Sequence, residues 1–208
     1  MRLNSDHRRR SFWLKHLHRW HWISAALCLV GMILFAITGI TLNHAGEIEA
    51  SPRTAVVEKR LPAALLAAAA GAEGPERQPL PPALADWLEA ELKVRAAGRA
   101  AEWSADEIYL ALPRPGGDGW VTIDRGDGQV RHEITDRGWI SYLNDLHKGR
   151  NAGPAWTWFL DLFAAACLVF ALTGLALLKL HAGGRPATWP TVGFGLVAPM
   201  LIVLLFIH

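Results

Sequence analysis

Six histidines flank two apolar stretches, and imidazole is the side chain best suited to hold a transition metal or a haem iron near neutral pH. His16, His18 and His21 precede the run Ile23 to Leu42, and His44 follows it. His147 stands before a second run that opens at Pro154, and His181 closes that run. Neither run has a histidine in its middle. If the two form antiparallel neighbouring helices, His44 faces His147 at one mouth, and His16, His18 or His21 faces His181 at the other. Two imidazoles from different helices can ligate one haem iron axially. The candidate ligands are therefore His44, His147, His18, His21 and His181. Arg19 and Arg150 are placed to meet the carboxylates of such a cofactor. Asp161 lies about two turns into the second run, where a carboxylate is costly and by default suggests a role. It would orient His44, relay protons or pair with a cation; the plainer reading is that it reaches headgroup water near Trp156 and Trp158. His7, His132 and His208 read as solvated or incidental.

The elements that must position these residues follow from hydropathy. Residues 22–43, 155–179 and 190–207 are each apolar over enough length to cross a hydrocarbon layer of about 30 Å at about 1.5 Å per residue. The first two share an echo, FAITGITL (Phe35 to Leu42) against FALTGLAL (Phe170 to Leu177). Gly31, Thr38, Gly39 and Thr41 are small enough to let a helix or flat ligand approach. Arg2, Arg8, Arg9, Arg10, Lys15 and Arg19 crowd the first segment, among Phe12, Trp13, Trp20 and Trp22. This combination suits an anchor at an anionic inner leaflet. Lys179 and Arg185 mark the loop between the second and third spans. By the positive-inside rule both basic segments are cytoplasmic, and residues 45–153 lie outside together with the C-terminus.

The chain of 208 residues is 51% apolar with a formal net charge of +2, a balance that gives no sign of a nucleic-acid partner. Its two cysteines, Cys28 and Cys167, fall inside spans, so no disulfide framework holds the outer region. No C-x-x-C-H motif is present, which excludes covalently attached haem. RRRSFWLK is like a twin-arginine export signal, but an apolar run of about twenty residues exceeds the usual h-region of about 7–15, and the segment reads as a retained anchor.

Most acidic residues fall in 45–153, which reads as a water-exposed domain. Residues 45–80 are rich in Ala and Pro with little pattern; 61–70 reads as a short helix and 71–82 as a linker. Pro82 to Ala100 has the spacing of an amphipathic helix, with Leu84, Trp87, Leu88 and Leu92 on one side. Glu107 to Leu112 alternates as a strand. Trp120 to Asp124, the turn RGDG and Gln129 to Ile134 form a hairpin. The expected architecture is an integral membrane bundle of three transmembrane helices carrying a small α+β domain, whose single helix covers one sheet face. Its parts are a basic N-terminus (1–21), spans at 22–44, 154–180 and 190–208, the outer domain at 45–153, and an inner loop at 181–189.

LHRWHW before the first span, TGITLNH at its end, DLHKGRNAG before the second and the hairpin D-x-x-x-G-x-V (Asp124 to Val130) together resemble the PepSY-associated transmembrane (PepSY_TM-like) family of bacterial inner-membrane proteins. The resemblance covers nearly the whole chain. It implies a PepSY-like outer domain and an inner-membrane location. The better understood relatives are larger, with four spans, and look like haem b-binding reductases of ferric siderophores. Other relatives sit beside flavin-transferring proteins, yet no flavinylation-type Ser/Thr motif occurs here.

The expectation is a membrane electron-transfer protein with one or two haems b, serving a ferric chelate or a periplasmic redox partner. His21 and His44 lie 23 residues apart, about 35 Å along a helix, a long single step between two haems. The alternatives are a membrane-anchored module that binds a partner without redox chemistry, and a transition-metal protein in which His44, His147 and His132 hold Zn²⁺ or Cu²⁺. Glycines in RPGGDG and RGDG sit in hairpin turns, so no nucleotide fingerprint is present, nor a hydrolase elbow or zincin motif. Three spans are few to enclose a cofactor, and a homodimer would double the walls.

Overall fold

The computed structural model describes residues 2–49, 51–71 and 74–207, with backbone alone for 2–7. His208 and the His7 side chain lie outside the described residues. Three helices, α1 (Arg2–Asn43), α5 (Pro154–His181) and α6 (Thr188–Phe206), are long and apolar enough to cross a membrane. Between the first two come β1 (Arg53–Arg60), α2 (Ala63–Ala70), β2 (Arg77–Pro79), α3 (Pro82–Leu92), β3 (Ala100–Trp103), β4 (Glu107–Ala111), β5 (Gly117–Asp124), β6 (Gln129–Asp136) and α4 (Trp139–His147). The chain divides into two compact units, Met1–Leu34 with Phe159–His208, and Phe35–Trp158.

In the first unit, α1 and α5 pack antiparallel. The ring of His18 meets that of His181, His21 meets Phe170, the thiols of Cys28 and Cys167 interact, and Phe163 fills the notch at Gly31. Partner numbers fall along α5 as they rise along α1. Among the less exposed positions of α1 here, Leu14, Leu17, His21, Ser24, Cys28 and Gly31 advance by alternate steps of three and four. That is the seam of two closely packed helices, and its small members let the backbones approach. A Cβ at Gly31 would lie 2.4 Å from the Phe163 ring, so the glycine is what admits the aromatic. Most of α6 is exposed, as befits an uncharged helix among lipid.

The second unit is built on a six-stranded sheet of order β1-β6-β5-β4-β3-β2, every neighbouring pair antiparallel. Burial alternates along β5 and β6, so one face carries Val121, Ile123 and Val130 into a core with Ile108 and Leu110. The helices α2 and α3 close that core with Ala69, Leu84, Ala85, Leu88 and Leu92. The β5–β6 turn forms because the Asp124 carboxylate accepts from the amides of Gly126 (2.7 Å) and Asp127 (2.9 Å), while Gly128 takes φ +72°. Those amides, Asp127 first, hold the Asp124 carboxyl below the usual carboxylate range.

Several expectations about this unit change. Two helices, not one, cover the sheet. The helix expected to run to Ala100 stops at Leu92, because Lys93 adopts φ 57° as a left-handed cap and Val94 donates back to Leu88. The segment 45–80 holds an eight-residue strand, β1, whose residues are all exposed and therefore lack the alternation that marks a half-buried strand. The short helix α4 also stands where no element was expected.

Candidate functional site

His147 ends α4 and lies against the last turns of α1. Its ring sits 4.9 Å from the Phe35 ring, its Nδ1 lies 2.7 Å from the Thr38 hydroxyl, and a Cβ on Gly39 would come within 3.6 Å of its Cε1. The Thr38 hydroxyl has one proton, and the Phe35 carbonyl lies within its reach at 3.2 Å. With that proton on the Phe35 carbonyl the hydroxyl accepts from His147 Nδ1–H, the tautomer in which Nε2 keeps its lone pair; with the other tautomer the hydroxyl donates to Nδ1. Beside the ring, Thr41 donates to Asn144 Oδ1 at 2.8 Å, and the Trp156 indole donates to the Leu146 carbonyl at 2.9 Å. These bonds fix the end of α4 against α1 and the first turn of α5.

The first unit repeats the arrangement. His21 of α1 stacks on Phe170 at 4.6 Å, its Nδ1 lies 3.1 Å from the Thr173 hydroxyl and 3.2 Å from the Phe170 carbonyl, and Gly174 clears its Cε1. The Phe170 carbonyl can only accept, so His21 Nδ1 carries the proton there, and its Nε2 has no hydrogen-bond partner among the described residues. The echo F-x-x-T-G at Phe35 to Gly39 and Phe170 to Gly174 is thus a histidine socket used twice: an aromatic platform, a hydroxyl acceptor and a gap beside the ring.

The other sequence candidates fall as follows. His44 does not meet His147. It lies nine residues past Phe35, about 180° round the helix at about 100° per residue, and its Nδ1 donates to its own Ile40 carbonyl at 3.0 Å. His18 and His181 come together edge-on with ring centres 5.8 Å apart, each Nδ1 donating to the carbonyl four residues back. His16 lies on Phe12 of its own helix at 4.2 Å. Arg150 is held by Asp145, Nε to Oδ1 at 3.3 Å, instead of standing unpaired. Arg19 and Asp161 are exposed and have no ion-pair partner among the described residues. His132 is buried in β6 opposite Val121, not solvated, and burial depresses its pKa. No cluster of three or more His, Cys, Asp or Glu able to hold a metal occurs among the described residues, so His44, His147 and His132 are not brought together.

Phe35, Thr38, Phe170 and Thr173 were not singled out as site residues by sequence reasoning. The signal that would have found them was the internal echo, taken as a property of spans and not as one half of a contact.

No curated protein and no solved structure matches the chain. A family model described as Putative PepSY_TM-like matches residues 12–208, which takes in all three membrane-capable helices and the sheet between them. The chain is a membrane protein, and it belongs to the PepSY_TM-like family.

Proposed function

We propose that this chain is an electron-transfer protein of the bacterial inner membrane that holds haem b on its socketed histidines. The observation that carries this reading is the paired F-x-x-T-G socket, which sets a threonine hydroxyl within hydrogen-bond reach of Nδ1 of His147 and of His21, so that with Nδ1 protonated each Nε2 is free to ligate. A donor on Nδ1 that orients the ring and raises its basicity is the usual support for a metal-ligating histidine. The donors for the group would be one imidazole per socket, each with a glycine beside its ring, and the pair His18 and His181. His147 would hold one haem, and His21 or the His18–His181 pair another. When bound, haem supplies one-electron transfer. The protein's own part is to hold the rings, exclude water through the surrounding span, and keep Nδ1 protonated. The basic residues in the first half of α1, with Lys179 and Arg185, support a cytoplasmic N-terminus and a PepSY-like domain on the periplasmic side. The acceptor there would be a ferric chelate, reduced by one electron to the ferrous state, or a periplasmic redox protein.

The test is a visible spectrum of the purified full-length chain, reconstituted with haemin. A b-type band that sharpens with dithionite, and weakens in His147→Ala and in His21→Ala, supports the reading. A colourless protein that takes up no haemin overturns it.

A second reading, a membrane-anchored module that binds another protein, is favoured by β1. This eight-residue edge strand is exposed throughout and has a partner on one side only. Such an edge can accept an added strand, although Arg53, Glu58, Lys59 and Arg60 guard it against indiscriminate pairing.

A further inference from the structure

The helix α4 is built inside out. Its spacing puts Trp139, Tyr142, Leu143 and Leu146 on one face, at the i, i+3, i+4, i+7 positions of an apolar stripe. In a domain surrounded by water this stripe would turn inward. Instead Trp139 is 70% exposed and Tyr142 46%, with Leu143 and Leu146 half-buried, while the polar Asn144 and Asp145 of the opposite side are only 7% and 5% exposed. Both polar side chains have partners. Asp145 accepts from the Gly116 amide at 2.8 Å and pairs with Arg150, and Asn144 accepts from Thr41.

The outward face has an identifiable solvent. His147, at the end of α4, lies beside Thr38, and Thr38 is five residues, about 7 Å, short of the end of the membrane-capable stretch Arg8–Asn43. Leu146 is bonded to Trp156 in the first turn of the next such stretch, Pro154–Gly184. The apolar face of α4 is therefore continuous with two segments that enter the bilayer. Trp and Tyr are the residue types that settle at headgroup level, and Lys148, just after the helix, can extend to phosphates.

We infer that α4 is an interfacial helix, about 13 Å long, that lies along the membrane surface with Trp139 and Tyr142 in the lipid headgroup–acyl boundary. The sheet is thereby held against the bilayer by side-chain burial in lipid as well as by its two covalent connections. Gly116 makes this docking possible. It has φ +69°, and a Cβ there would lie 2.6–2.8 Å from Tyr142 atoms, so the β4–β5 turn can seat directly on the α4 backbone.

The experiment places a nitroxide at Trp139→Cys or, separately, at Tyr142→Cys in the full-length chain in phosphatidylcholine vesicles. Unsubstituted protein measures labelling of Cys28 and Cys167, and Asp127→Cys in the β5–β6 turn serves as the water-exposed reference. Expected is a collision ratio of oxygen to aqueous nickel chelate severalfold higher at 139 and 142 than at 127, unchanged when lipid is added to dilute the protein. Equal ratios at all three positions would place the face in water and overturn the inference. Shielding that vanishes on dilution with lipid would assign the face to a second copy of the chain, and would overturn it as well. The two labelled positions keep the test decisive if one substitution impairs folding.

Discussion

Replacing Thr38 with Val tests the socket at its narrowest point. The two side chains have nearly the same shape and both are β-branched, so α1 keeps its geometry while the acceptor 2.7 Å from His147 Nδ1 disappears. In the bilayer a lost interhelical hydrogen bond costs about 0.6 kcal/mol on average, because the unfolded reference state also finds partners. Folding should therefore weaken by no more than about threefold in its equilibrium constant. Ligand binding should suffer more: deleting the group that orients a ligating histidine typically lowers affinity about 10–100-fold, or about 1.4–2.8 kcal/mol. Thr38→Ser restores the hydroxyl without the methyl and should recover most of the affinity. Haemin titration followed in the visible region, beside thermal unfolding of the same preparations, reads both quantities. Haemin affinity in Thr38→Val within twofold of wild type, when His147→Ala has lost binding, would show that the hydroxyl does not prepare the imidazole. Affinity lost in Thr38→Ser but kept in Thr38→Val would shift the explanation to packing of the methyl.

Gly174→Ala should displace the His21 ring, because the new Cβ would stand 3.1 Å from Cε1, whereas Gly39→Ala meets His147 at an ordinary 3.6 Å; haemin titration of both variants should show the first impaired and the second near wild type. Gly116→Ala combines a non-glycine residue at φ +69° with a clash against α4, about 1–2 kcal/mol from the backbone and about 1–3 kcal/mol from overpacking, and limited proteolysis should cut the α4 region faster. The buried His132 binds a proton less readily in the folded chain than in the unfolded one, so its contribution is present above the unfolded pKa of about 6.5 and is lost as pH falls below it. Circular dichroism melts of the full chain in detergent should show the β-sheet transition falling between pH 7.5 and 5.5, with a smaller decline in His132→Gln.

The spans were legible because apolar length is a one-dimensional property, and the β5–β6 hairpin because Asp127-Gly128 and period-two alternation coincide there. The strand β1 left no such mark: it pairs only with β6 and buries nothing, so Ala55, Val56 and Val57 stand together without alternation. The helix α4 was hidden for the opposite reason. Its periodicity is clear once bounded, but it lies between a hairpin and a span, and Leu146-His147 reads as the approach to that span. The histidine pairing was legible only in part. Antiparallel packing of α1 on α5 in the first unit follows from length and loop placement, yet which imidazole meets which group depends on rotation about the helix axis. A nine-residue separation along α1 sends His44 to the side opposite Phe35.

That rotation also explains why the echo is more informative than the histidines themselves. A histidine near a membrane boundary is compatible with a plain interfacial anchor, and His16, on its own Phe12, is an example. F-x-x-T-G constrains far more. Phe and Thr three residues apart lie on one helix face, the glycine at the next position removes the side chain that would crowd a ring between them, and the threonine proton has a carbonyl of its own helix within reach. What remains is an acceptor aimed outward beside a platform and a gap, a set that an N–H on a flat ring satisfies. Two such sets, on two helices, each filled by a histidine from another element, are difficult to attribute to packing alone. In packing, a leucine would serve as well as an imidazole and would leave no bare Nε2 in an apolar span. His147→Leu and His21→Leu therefore separate the two accounts. If each variant melts at or above the wild-type temperature while haemin binding is lost, the imidazoles are retained for ligation at some cost in stability. Melting several degrees lower, with haemin binding intact, would make the sockets structural.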